Sequence, residues 1–235
     1  MMSTQGVSRR GVLAGVAALA GCAAQTTASV DTTPRLGPDR TGYILLQAPI
    51  VDKVRDLFIA NVNQLLTQDA REIYVLMASL GGVLTTMQDI IAFMDRTRAE
   101  RGVMFTTHNV GFVASAACYV FLAGQRRLSI ARGTFLFHEA SLVANGPITM
   151  HELQDESSKS QALERSLLQI LTRRTHLSEA EASSFIHRTV ILNADEAQRD
   201  GVIDAISGFA LPKGANMFQI RAVQNKALTP GEPHG

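Results

Sequence analysis

The 235-residue sequence predicts an α/β fold of repeated β-α units, with a parallel sheet and helices on its faces. Two observations carry that expectation. From Tyr43 onward, short apolar runs alternate with amphipathic segments at a spacing that suits crossover helices between parallel strands. The composition, 46% hydrophobic and 18% charged, is that of a globular chain, and the length is enough for a large core.

Residues 1–21 come first and read as an export signal rather than as part of the fold. Paired Arg9 and Arg10 precede an uncharged run of small apolar residues from Val12 to Gly21. A spanning helix needs about 20 apolar residues, twice what this run offers. Ser8-Arg9-Arg10-Gly11-Val12-Leu13 resembles a twin-arginine motif, with Val12 and Ala14 departing from its commoner residues. Leu19-Ala20-Gly21-Cys22 is similar to a bacterial lipobox, which predicts acylation of Cys22 as the first mature residue. The expected product is a lipoprotein, anchored to a membrane on the periplasmic side by lipid rather than by charge. Residues 22–41 lack apolar periodicity and read as a flexible tether.

The strand, helix, strand order begins with YILL, continues through a helix with Val54, Leu57, Phe58, Val62 and Leu65 on one face, and reaches EIYVLM. A helix carrying Leu84, Met87, Ile91 and Met94 follows. Next come VMFTT at 103–107, a small-residue helix from about Ser115 to Ala123, and the runs RLSIA and TFLFH. Residues 148–174 are helix formers, but 154–161 contain no apolar residue while 162–171 are apolar again. Half of that helix must stand in solvent or meet another subunit. Two capping boxes, Ser178 with Glu181 and Asn193 with Glu196, start the later helices, the second of which ends at Gly201. Residues 207–235 read as a partly ordered extension with a loose tip.

A net charge of +1 leaves no global field for nucleic acid, and two cysteines without a Cys/His cluster make neither a disulfide framework nor the usual zinc site. No metal and no cofactor is expected. Three features lie at strand ends, where open parallel sheets collect ligands. Ser79-Leu80-Gly81-Gly82 is a turn that can aim backbone N–H groups at an anion or simply be tight. Ser115 opens a small-residue helix, as a nucleophile or as an N-cap serine would. His138 ends TFLFH and, taken alone, is compatible with a structural histidine. Cys118 reads as core, His108 and His187 lack partners at metal spacing, and His151, His176 and His234 read as surface or tail residues.

Taken in order, these segments resemble the ClpP family of serine peptidases, of the ClpP/crotonase fold, over about residues 42–206. SLGG at 79–82 is similar to the family's SPGG, and GFVASAACYVFLAG at 111–124 to its GxAASMGAFLLAAG. RGTFLFHEASL aligns with NSRxMIHQPxG, NADEAQRDGVIDAI at 193–206 with SAEEAxEYGLIDxI, and APIVD at 48–52 with GxI/V-x-D. The resemblance implies that Ser115 is the nucleophile, His138 the general base, and the N–H groups of Gly82 and Ala116 the oxyanion hole. It also makes 148–174 the protruding handle helix, and it implies a ring-forming homo-oligomer acting on peptides or unfolded segments.

The third triad position falls on Thr189, which carries no charge. Loss of that carboxylate costs about 10⁴ in turnover in well-studied triads, so a weak or specialised hydrolase is expected. A scaffold or peptide-binding protein with decayed catalysis is the alternative. Asp195, Asp200 and Asp204 fit helix-surface or capping roles. Leu80 stands for the family's Pro, Glu139-Ala140 for Gln-Pro, and the glycine-rich strand before the handle is reduced to Ala144-Asn145-Gly146-Pro147. An exported chain would have no ATP-driven unfoldase partner. Acyl-CoA chemistry, found on the same fold, is disfavoured because it does not need this Ser/His pair.

Overall fold

Glu72–Ser79 and Met104–Ala114 are the longest strands of the sheet, and both end at the turns singled out above. The computed structural model describes residues 25–29, 35–140 and 149–223. The expected export signal, Cys22 and residues 144–147 lie outside the described residues. In chain order the elements are β1 (Gln25–Ser29), β2 (Thr41–Gln47), α1 (Asp52–Leu66), β3 (Glu72–Ser79), α2 (Leu84–Arg101), β4 (Met104–Ala114), α3 (Ala116–Leu122), β5 (Arg126–Ser129) and β6 (Thr134–Phe137). They continue with α4 (Met150–Arg174), α5 (Glu179–His187), β7 (Val190–Leu192), α6 (Ala194–Arg199), β8 (Ala205–Ile206) and β9 (Met217–Val223).

The sheet order is β1-β9-β2-β3-β4-β5-β8, with β6 and β7 off that path. β2 through β5 pair in parallel and in sequence, as alternating strands and helices require. Ile44, Leu46, Ile73, Val75, Met77 and Phe105 pack against Phe58, Val62 and Leu65 of α1 and Met87, Ile90 and Met94 of α2. These strand residues alternate with Tyr43, Tyr74 and His108, which lie on the opposite face and meet Phe209. Thus the sheet is wider than the 42–206 core. β9 lies beside β2 in parallel register, Tyr43 opposite Met217, and β1 lies beside β9, so parts of both the tether and the extension are strands.

β4 serves two neighbours along one length: Thr106 to Asn109 pair with β5, and Phe112 to Ala114 pair with β6. Asn109 stands at the division. Its Nδ2 donates to the carbonyl of Thr134, its Oδ1 accepts from the N–H of Gly111, and its carbonyl accepts from the N–H of Ile130. This buried side chain supplies the bonds lost where the ladder changes partner. It also explains why β4 runs to Ala114, seven residues past the strand expected at 103–107.

Both expected capping boxes are present, and a third, Thr149 with Glu152, starts α4. Of the 25 residues of α4, only Leu167 and Leu171 are fully buried, while Met150 is 80% exposed. Most of the polar half is exposed, as its sequence requires, although Glu156, Lys159 and Ser160 border a cavity shared with the body.

His108 is buried on the second face, where the Tyr74 hydroxyl meets its Nδ1 at 2.7 Å and its Nε2–H donates to the Ser207 carbonyl at 3.0 Å. Burial lowers its pKa below the ordinary value of 6.5, and Arg126 adds to the effect. Its unfolded form therefore binds a proton first on acidification. The stability that depends on neutral His108 is full above pH ~6.5 and is lost as pH falls toward the lowered folded value. His108→Gln should remove up to about 1.4 kcal/mol per pH unit from the slope of unfolding free energy below pH ~6.5. Denaturant melts at several pH values measure it, and an unchanged slope would exclude His108 as the source.

Candidate active site

One residue, Ser115, makes the turn between β4 and α3, with φ 53° and ψ −130°. A non-glycine residue in that conformation stores about 1–3 kcal/mol, which its surroundings must hold. The Ser115 N–H donates to the Leu136 carbonyl at 2.7 Å, and its carbonyl accepts from the Cys118 N–H at 2.9 Å. Cys118 also donates through Sγ to the carbonyls of Val113 and Leu136. Ala114, Ala116 and Ala117 around it are buried, so small residues are what the turn can accommodate.

This geometry excludes one of the two meanings left open for Ser115. An N-cap serine has extended backbone and accepts a bond from the first helical turn. Ser115 has neither, and its side chain caps nothing. Its hydroxyl is therefore available. The first N–H groups of α3 have no intrahelical acceptor, and Ala116 supplies the one next to Ser115.

Gly81 and Gly82 lie directly against this turn. A Cβ on Gly81, at φ 93°, would come within 2.6 Å of the Ser115 Cβ and 2.7 Å of the Ala114 carbonyl oxygen. Gly82, at φ 156°, pairs with Ile50 so closely that a Cβ would fall 2.3 Å from the Ile50 carbonyl oxygen. Ile50 donates to the Gly81 carbonyl at 2.8 Å and accepts from the Val83 N–H at 2.7 Å. In parallel pairing those bonds leave the N–H of Gly82 on the side away from Ile50. Leu80 and Val83 flank it with side chains 70% and 48% exposed.

β6 pairs with β4 in parallel, Leu136 opposite Ala114, so His138 follows β6 at the end where Ser115 follows β4. His138 is exposed, and its Nδ1 lies 2.7 Å from the Glu139 carbonyl oxygen. Ser115 and His138 line one cavity of about 760 Å³, together with Gly82, Val83, Leu84 and Tyr119. The α4 residues Glu156, Lys159, Leu163 and Leu167 close another side, and Lys159 pairs with Glu156 at 2.7 Å. Among the described residues, Ser115 Oγ and the His138 ring make no direct hydrogen bond. Such pairs often tighten only around substrate.

β7 runs antiparallel to β6 with Val190 opposite Phe137, and one further step of that register sets Thr189 across from His138. Thr189 is exposed, and among the described residues its hydroxyl bonds to nothing. The nearby aspartates are engaged elsewhere: Asp204 holds Arg127 through both its main-chain N–H and its guanidinium, Asp200 pairs with Arg199, and Asp195 sits in the first turn of α6. Cys118 is fully buried, and burial pushes its thiol far up, so it is no competing nucleophile. Among the described residues no cluster of three or more His, Cys, Asp or Glu could hold a metal ion, and no helix is long and apolar enough to cross a membrane.

Sequence reasoning missed Asn109, one polar residue in a run of four from Thr106 with nothing local to single it out. It also missed Tyr119 and the Glu156–Lys159 pair, which reach the cavity through tertiary packing that no local pattern announces.

A family model described as Clp protease matches residues 25–208. The chain is 28% identical over 180 residues to the ATP-dependent Clp protease proteolytic subunit 1 of Tropheryma whipplei, which covers 75% of this chain and 84% of that protein. It is 30% identical over 139 residues to the ATP-dependent Clp protease proteolytic subunit 3 of Frankia casuarinae, covering 58% of this chain and 62% of that one. A chloroplastic subunit 3 from Arabidopsis thaliana is 26% identical over 180 residues, covering 75% of this chain and 56% of its own length.

The glycine contacts carry a direct test. Gly82→Ala must push Ile50 aside or break the bridge, at a cost of about 2–4 kcal/mol. A melting temperature lowered by about 5–10 °C is expected. A change within 1 °C would mean that the 80–83 segment is not held against Ile50.

Proposed function

Since the chain belongs to the Clp protease family, we propose that it is an exported serine peptidase that cleaves peptides or unfolded segments through an acyl-enzyme on Ser115. The observation that carries this reading is the uncapped, strained Ser115 facing the same cavity as His138, with the Gly82 and Ala116 N–H groups beside it. Ser115 Oγ attacks the scissile carbonyl carbon while His138 Nε2 takes its proton. The N–H groups of Gly82 and Ala116 hold the oxygen that gains charge, each donor worth about 2.7–4 kcal/mol in the transition state. Collapse of the tetrahedral intermediate breaks the C–N bond, and His138 returns the proton to the leaving amine. Water, deprotonated by His138, then attacks the ester, and Ser115 leaves with its proton restored.

Substrate binding follows from the outer side of residues 80–83. Gly82 offers its N–H to an extended chain, and Leu80 and Val83 offer apolar surface on either side. The largely exposed α4 supports assembly with further copies, in keeping with a ring-forming homo-oligomer. The relatives above are proteolytic subunits of ATP-dependent proteases. An exported, lipid-anchored chain would work without an ATP-driven partner and take segments that are already unfolded.

A second reading, a peptide-binding scaffold with weakened catalysis, is favoured by one observation: among the described residues no carboxylate hydrogen-bonds to the His138 ring, whose bond goes to the Glu139 carbonyl, and the Thr189 hydroxyl bonds to nothing. Covalent chemistry separates the two. Incubation with a fluorophosphonate should add one phosphonyl group per chain at Ser115. The adduct and peptide hydrolysis should vanish in Ser115→Ala, and both should fall at least about 100-fold in His138→Ala. Peptide binding without any adduct would establish the scaffold instead.

Export and anchoring have their own test. Radiolabelled palmitate should enter the wild-type chain in bacterial cells, and Cys22→Ala should lose the label and leave the membrane fraction. Label retained in that variant would place the anchor elsewhere.

A further inference from the structure

The proposed reaction needs His138 in one tautomer, with Nε2 bare toward Ser115 and the proton on Nδ1. In Ser-His-Asp enzymes a carboxylate enforces this. Here the residue across from His138 is Thr189, whose hydroxyl could accept from Nδ1 or donate to it, so it would not select a tautomer even if it made the bond. The structure holds a different acceptor. The Glu139 carbonyl oxygen lies 2.7 Å from Nδ1, and a carbonyl can only accept. That contact is possible only with the proton on Nδ1.

We propose that the backbone carbonyl of Glu139 is the positioning group that sets the His138 tautomer, so that the site operates as a Ser115–His138 dyad and Thr189 takes no part. This rests on the peptidase reading above for its use, though not for its detection. A carbonyl supplies the orienting half of what a carboxylate does but not its full negative charge. His138 is exposed, so water shares in stabilising the imidazolium that forms during attack. The arrangement follows from local sequence. β6 ends at Phe137, the chain leaves the ladder at His138, and among the described residues the peptide between Glu139 and Ala140 has no strand partner to claim its carbonyl.

The test reads the ring itself. In the full chain labelled with ¹⁵N-histidine, with His138→Gln identifying the resonances, Nδ1 of His138 should appear protonated and Nε2 bare. Thr189→Val should leave that pattern unchanged. Replacing the peptide between residues 139 and 140 by an ester, which makes the Glu139 carbonyl a poorer acceptor, should shift population to the other tautomer. The same replacement should lower kcat at least threefold with KM unchanged. A proton on Nε2 in the wild type, a shift caused by Thr189→Val, or an ester variant with unchanged spectrum and kcat would each overturn the proposal. Because the spectra do not depend on turnover, a chain that failed to label at Ser115 would count against the peptidase reading and still decide the tautomer.

Discussion

The contact between Gly81 and the Ser115 turn is what the rest of the site depends on. Two loops from different strands meet there at a separation that admits no side chain on Gly81. If 79–82 moved outward by the width of a methyl group, the Gly82 N–H would leave the vicinity of Ser115 and the turn would lose its floor. The parallel bridge to Ile50 on one side and the Leu136 carbonyl on the other prevent this. The strained Ser115 backbone is thus maintained by buried β-structure together with the first turn of α3. That is the general condition under which sparsely populated backbone conformations persist.

From that contact outward, the architecture can be seen as a means of bringing three strand ends together. β3 delivers the glycines, β4 the serine and β6 the histidine, and the split of β4 between β5 and β6 lets β6 approach the serine end of β4. Asn109 makes that split affordable by bonding to both neighbours. The handle helix α4 then roofs the cavity with its middle and lower turns, while its first turns are exposed among the described residues. Residues that line the cavity and residues that stand in solvent lie on successive turns of the same helix.

Much of this was legible in the sequence because it is governed by local rules. The alternation of apolar runs and amphipathic segments fixes β2 through β6 and the helices between them, and the capping boxes at Ser178 and Asn193 mark helix starts to the residue. The lack of apolar residues over 154–161 announces the largely exposed stretch of α4. What remained hidden depends on partners far along the chain. β9 is a short mixed run whose strand identity comes from lying beside β2, and Phe209 becomes meaningful only against Tyr43 and Tyr74. The site divides in the same way. Ser115, His138 and Gly82 could be named from their places after strands, but a serine at a helix start carries no mark that separates nucleophile from cap. The backbone angle at Ser115 excludes the cap.

The central claim is that Ser115 and the N–H groups of Gly82 and Ala116 surround a single reacting carbon. A crystal structure of the chain inactivated by a fluorophosphonate tests it most directly. The account predicts phosphorus bonded to Ser115 Oγ and a phosphonyl oxygen within about 3 Å of both backbone nitrogens. A phosphonyl oxygen turned toward solvent, with the Gly82 and Ala116 nitrogens unengaged, would contradict it.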